Sequence, residues 1–228
     1  VLRSAHFPYP QGLRDRLLAA RYQPRELGLL HFELGELLAE AALELKKATA
    51  EEATEMDFAA FQGFPFAHLP PRAGSATCGE LELGEAAIVA ERTRLPVVSN
   101  FSARDMAAGG QGRPVHAYGS WLLFSREDRT AAHLHLGAFA AMTVVPSAVK
   151  DVVGFEVGPC CLAIDGAFRL LTSGNREIDT DGATAGGGVV IDEFLEYLLD
   201  QPYFNRVPPK STSRDEFGAE VYLRDALA

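Results

Sequence analysis

Cysteine, basic residues and long apolar runs are what this sequence is short of. Three cysteines occur in 228 residues, two of them adjacent at Cys160 and Cys161. That count does not indicate a disulfide framework, and a reducing, cytoplasmic setting is expected. Lys and Arg total 21 against 31 Asp and Glu, a formal charge of −10. The deficit argues against nucleic acid or an anionic membrane surface as a main partner, although a small anion needs only a few backbone amides. No apolar run approaches the roughly 20 residues of a membrane span, and Val1 to Pro10 contains no apolar signal-peptide segment. No repeat at a fixed period is visible. What remains, 47% hydrophobic and 23% charged residues, is the balance of a globular chain long enough to bury a core without covalent staples.

The periodicity predicts helices over 11–22 and, past Pro24, over 26–48, with Leu27, Leu30, Leu34, Leu37, Leu38, Ala41 and Leu45 on one face. The charged tract from Lys46 to Glu55 reads as a helix end and solvated loop. Residues 58–72 read as a short strand leading into a proline-broken loop, 80–92 as a helix, and 96–101 as a short buried strand. After the glycine turn Gly109 to Gly112, an apolar helix or strand ends at Phe124. The polar run 125–129 is the expected domain boundary. Beyond it, 131–136, 138–145 and 152–156 form a three-strand meander. An apolar helix follows from Gly158-Pro159 to Leu171, then a glycine-rich linker over 179–190 and a helix from Ile191 that ends before Pro202.

Several residues invite chemistry. His133 and His135 alternate on a predicted strand and share a face, but zinc needs three or four ligands, and packed or surface imidazoles are the plainer reading. Cys160-Cys161 at a helix start admits either a thiol of lowered pKa or, more plainly, two small packed side chains. Asn100-Phe101-Ser102 matches the glycosylation triplet and carries no meaning without a secretory route. The turn Gly109-Gly110-Gln111-Gly112 lets backbone approach a ligand. Asp105, four residues before it, offers a carboxylate to act as general base or is an ordinary helix or turn residue.

Taken in order, a set of motifs resembles the anhydro-N-acetylmuramic acid kinases. The motifs are Gly84 to Thr93 (GEAAIVAERT), Val97 to Phe101, Arg104 to Pro114 (RDMAAGGQGRP), Gly154 to Pro159 with Leu162 to Asp165, and Pro202 to Phe204 with Pro208 to Gly218 (PPKSTSRDEFG). The likeness runs from about Phe7 to Phe217. It implies an α/β, actin-like two-lobe fold of the sugar-kinase and heat-shock ATPase type, truncated at both ends. The first lobe would span 1–128, without its opening hairpin, and a partial second lobe 129–228. It also implies an ATP- and Mg²⁺-dependent reaction that opens the 1,6-anhydro ring of a cell-wall amino sugar and phosphorylates O6. Asp105 would then be the base that activates water, with Glu85, Gly109, Gly110 and Gln111 at the sugar and Gly137, Gly158, Pro159 and Lys210 at the nucleotide. No metal ligand is carried over.

The sequence also departs from the family's pattern. The HGQT motif falls on Gln62-Gly63-Phe64-Pro65, and the phosphate loop NIGGIAN falls on His135 to Ala141, with Ala138 replacing a glycine. GPGN reads Gly158-Pro159-Cys160-Cys161, its preceding Asp reads Glu156, and IGDP reads Leu83-Gly84-Glu85-Ala86. Lost donors of this kind are each worth about 10²–10³ in rate. A degenerate kinase with weak or no activity is therefore expected, with a non-catalytic sugar-binding or interaction subunit as the alternative. A homodimer or heteromer is expected, because strand edges left open by truncation need covering.

Overall fold

The computed structural model describes residues 3–50, 55–72, 77–218 and 222–223. The predicted loop over 46–55 lies partly outside them. The chain is α/β, built as two compact units, one of residues 1–68 and 80–103 and the other of 69–79 and 104–228. The units divide at Ala103 and Arg104, ahead of the boundary read at 128 and 129.

In the first unit, α1 (Leu13–Ala19) leads through a short 3₁₀ turn into α2 (Pro24–Ala50). Proline suits the first helical position because its missing N–H would have no partner there. The apolar stripe read from the sequence is the buried one in part. Leu13, Leu17, Ala20, Leu30, Leu34 and Leu83 form a core cluster, with Leu27, Leu37, Phe64 and Phe66 packed against it. The guanidinium of Arg16 joins α1 to α2 by reaching both Glu26 and Glu33. Two small sheets follow: β1 (Ala59–Ala60) parallel to β4 (Val97–Val98), and β2 (Phe64–Leu69) with β3 (Gly79–Leu83). The helix expected over 80–92 is therefore two elements. Gly79–Leu83 pairs with β2 as a strand, and α3 (Ala86–Thr93) starts only after Gly84. Gly35 on α2 makes room for that turn, since a Cβ there would stand 2.9 Å from the Glu85 carbonyl. The buried side chains of His68 and Glu80 meet in a hydrogen bond between β2 and β3. α4 (Phe101–Ala107) carries the chain out of this unit.

The second unit holds α5 (Ala117–Phe124) and the predicted meander: β5 (Ala131–Leu136), β6 (Phe139–Val145) and β7 (Val153–Pro159), antiparallel in that order. Paired residues share a face in such a sheet. One row therefore reads His135, Ala141, Glu156 and the next His133, Thr143, Gly154. A Cβ on Gly154 would meet that of Ala117 at 2.8 Å, so α5 lies against this face. Among the described residues the helices α6 (Cys161–Leu171), α7 (Asp192–Leu199) and the single turn α8 (Arg214–Phe217) follow. Among the described residues no helix is long and apolar enough to cross a membrane.

Candidate functional site

The site is assembled in the second unit from a helix end, a strand end and an ordered loop. α4 stops in a Schellman arrangement: Gly109 N–H donates to Met106 O and Gly110 N–H to Asp105 O, with Gly109 left-handed at φ +92°. Only a residue without Cβ adopts that conformation cheaply, so this glycine first of all terminates the helix. The exposed Asp105 then folds back along the turn. Its Oδ2 accepts from the buried Gly112 N–H at 2.7 Å. The carboxylate lies so close over Gly110 that a Cβ there would sit 2.1 Å from Oδ2. The glycine turn and the acid before it are one unit: the turn shapes the perch and the acid caps it.

Gln111 reaches the other wall. Ser211 Oγ donates to its carbonyl at 3.0 Å, and its Nε2 donates to Pro71 O at 3.4 Å. Lys210 to Ser213 are buried, and β7 meets part of their backbone polar groups. Glu156 N–H donates to Lys210 O at 2.9 Å, and Thr212 N–H donates to Glu156 Oε2 at 2.7 Å. Tyr203 closes the network by donating its hydroxyl to Glu156 O at 2.6 Å. Burial and the nearby Glu156 push that phenol well above its ordinary 10. The Lys210 ammonium donates to Tyr203 O at 3.0 Å and stands 4.5 Å from the centre of its ring. Burial, with the Arg206 charge, holds it below the usual lysine range.

Gly158 lies under Phe204, whose ring would be 2.8 Å from a Cβ there. Pro159 pairs with Phe139. Gly137 and Ala138 form the β5–β6 turn, and their carbonyls accept from Cys160, Cys161 and Leu162 N–H at 3.0–3.1 Å. The amides that open α6, where a helix would offer donors to phosphate, are thus already engaged. Cys160 has its thiol pushed up by burial and by Cys161, which corrects the reading of a lowered thiol pKa. Glu85 belongs to the first unit, where it caps α3. Its Oε1 accepts from Ala87 N–H at 2.8 Å and its Oε2 lies 3.1 Å from His31 Nε2. The amide and then the imidazole hold that carboxylate below 4.5. His31 Nδ1 accepts from Gly84 N–H at 2.9 Å, which places the ring proton on Nε2 toward Glu85.

The structure thus gathers Gln111, Lys210 and Gly158 around one ordered loop, with Asp105 on the turn before it, while Glu85 serves a helix cap. Tyr203 and Thr212 lie inside the motifs Pro202 to Phe204 and Pro208 to Gly218, which assign them no role, and Arg206 lies outside both; the first two act on Glu156 of β7 and the third on Glu216. His133 and His135 share a face as expected, and His116 joins them at ring distances of 5.8 and 5.1 Å. Among the described residues no group of three or more His, Cys, Asp or Glu is arranged to hold a metal ion.

The sequence matches a known family along the whole chain. The sequence model of the family described as anhydro-N-acetylmuramic acid kinase covers residues 1–228. The chain belongs to the anhydro-N-acetylmuramic acid kinase family. Relatives bearing that name include one from Caldanaerobacter subterraneus, 33% identical over 228 aligned residues, 96% of this chain and 57% of that one. Another, from Gloeobacter violaceus, is 36% identical over 224, covering 96% and 58%. A third, from Clostridioides difficile, is 34% identical over 200, covering 87% and 51%. The chain spans somewhat more than half the length of these relatives.

Proposed function

We propose that this chain is a divergent anhydro-N-acetylmuramic acid kinase that keeps the water-activating base of the family's ring opening and has a weakened nucleotide site, leaving weak or no turnover. The observation that carries the first part is Asp105: one oxygen is tied to Gly112 N–H and the side chain is otherwise exposed on a rigid turn. Such a carboxylate is held without being consumed. In the reaction the resemblance implies, Asp105 takes a proton from a water as its oxygen adds to C1 of the 1,6-anhydro sugar. The C1–O6 bond breaks, and its electron pair stays on O6, the phosphoryl acceptor. Gln111 and the glycine turn would bound the sugar on the Asp105 side.

The nucleotide part is read from donor chemistry. ATP and Mg²⁺ are the family's requirements, and in the actin-like two-lobe fold they would meet the chain at Gly137, Gly158, Pro159 and Lys210. Here the α6 amides are bonded to Gly137 and Ala138 carbonyls, and Phe204 covers Gly158. These residues fit a nucleotide poorly, so no step is assigned to it. The test pairs calorimetry with product analysis. ATP–Mg²⁺ should give no saturable heat at millimolar nucleotide, and a dissociation constant in the low micromolar range would overturn the weakened site. Any 6-phosphate formed from 1,6-anhydro-N-acetylmuramic acid, followed by mass spectrometry, should vanish in Asp105→Asn. An equally active variant would move the base elsewhere.

A further inference from the structure

A cavity of about 520 Å³ opens beside the site, walled by Arg72, Gln111, Arg206, Pro209, Lys210 and Ser211 with the neighbouring Pro70 and Pro71. In a chain of net charge −10, its walls among the described residues carry three cations and no carboxylate. One acid, Glu216 on α8, stands behind them and is shared. Its carboxylate pairs with both nitrogens of the Arg206 fork, accepts from Arg72 at 3.3 Å and accepts from Thr212 Oγ1 at 2.9 Å. The buried Lys210 spends its protons on the neutral carbonyls of Tyr203 and Phe204. Among the described residues, two guanidinium charges and an ammonium face the Glu216 carboxylate, with the Glu156 carboxylate bonded to Thr212 N–H on the β7 side. Half of the Arg72 side chain remains exposed, and the Arg206 guanidinium, over the Tyr203 ring at 4.9 Å, is held in one orientation.

We propose that this cavity is an oxyanion site, taking a carboxylate or phosphate group on the Arg72 and Arg206 guanidiniums. Guanidinium forks match both oxyanions in geometry. The volume lies within the range of small-molecule sites and has room for the sugar that carries the group. The oxyanion chemistry stands on the cavity's own charges, and only the sugar as carrier rests on the kinase reading. Glu216 occupies part of the site as an internal competitor that an incoming anion must displace or share.

The experiment titrates the full chain with inorganic phosphate and, separately, with D-lactate as a free carboxylate, without nucleotide. Saturable heat that shrinks with added salt is expected for at least one probe, and whichever saturates identifies the group the site takes. Arg72→Gln should weaken binding roughly three- to tenfold with an unchanged melting temperature, because Arg72 is half-exposed. Glu216→Gln, which keeps the side chain's size and removes the competitor, should tighten it. Absence of saturation by both probes up to tens of millimolar would overturn the proposal, as would binding that neither substitution moves. Saturation by a probe together with low-micromolar ATP–Mg²⁺ binding, or with an equally active Asp105→Asn variant, would leave the site standing and the kinase reading fallen. Sugar phosphorylation without saturation by either probe would do the opposite.

Discussion

Gly110→Ala isolates the contact between the turn and its acid. Gly110 has no positive φ, so the substitution tests space alone. The new Cβ would fall 2.1 Å from Asp105 Oδ2 and 2.5 Å from Cγ, where real Cβ contacts essentially never come under 3.0 Å. The carboxylate must swing out into water. Because it is exposed, it regains hydration. The loss falls on the buried Gly112 N–H, which gives up its 2.7 Å acceptor. A buried donor left without a partner costs about 1–3 kcal/mol. The lower half of that range applies here, because one side of the pair is already wet. At about 1.5 kcal/mol, a chain of this size should melt about 3–6 °C lower. Asp105→Ala should cost a similar amount by removing the acceptor directly. In that background the clash no longer exists, so adding Gly110→Ala should cost about nothing, a coupling near the full 1.5 kcal/mol. Gly109→Ala is the control. Nothing lies within 4 Å of its Cβ, but φ is +92°, so it should cost about 1–2 kcal/mol from backbone strain whether or not Asp105 is present. Urea unfolding of the four-member cycle decides the matter. Equal penalties for Gly110→Ala in both backgrounds would refute the reasoning.

Glu85→Ala removes the α3 cap and should lower stability by about 1 kcal/mol, whereas Glu85→Asp, a good capping residue, should restore most of it; equal losses in the two variants by melting curve would mean that the Ala87 bond contributes nothing. His116 is held below its ordinary 6.5 first by burial and then by the charges of His135 and His133. The folded chain then binds fewer protons at this ring than the unfolded one, so His116 adds no pH dependence well above 6.5, and stability falls as pH drops below that value. The rings facing it are His133 and His135 on β5, with Ser120 bonded to His133 at 2.8 Å, and Glu156 shares the sheet face two strands away. His116→Phe should flatten the slope of stability between pH 7 and pH 5, and a slope as steep as wild type would assign it to other groups.

The sequence by itself determined the elements whose signal is local. The 3.6-residue stripe of α2, the alternating runs of β5 to β7 broken at Gly137 and around Pro146, and the glycine turn Gly109 to Gly112 can be read from neighbours a few residues apart, whereas α4 over 101–107 is not predicted and Phe101 is expected in a strand. The ordered motifs, from Gly84 through Lys210, also placed the chain in its family. The helix expected over 80–92 shows the limit. Gly79–Leu83 fits a helix as well as a strand until β2 offers its edge, and that partner lies across a connection no local pattern encodes. Glu85 carried a sugar-site expectation from its motif, but the approach of α2 at Gly35 and His31 put it to work as a cap. The same holds for Glu156, which is fixed by Tyr203 and Thr212 about fifty positions later, and for the cations gathered from Arg72 and Arg206. Burial, shared hydrogen bonds and charge balance are sums over neighbours in space, and only the folded chain decides who those neighbours are.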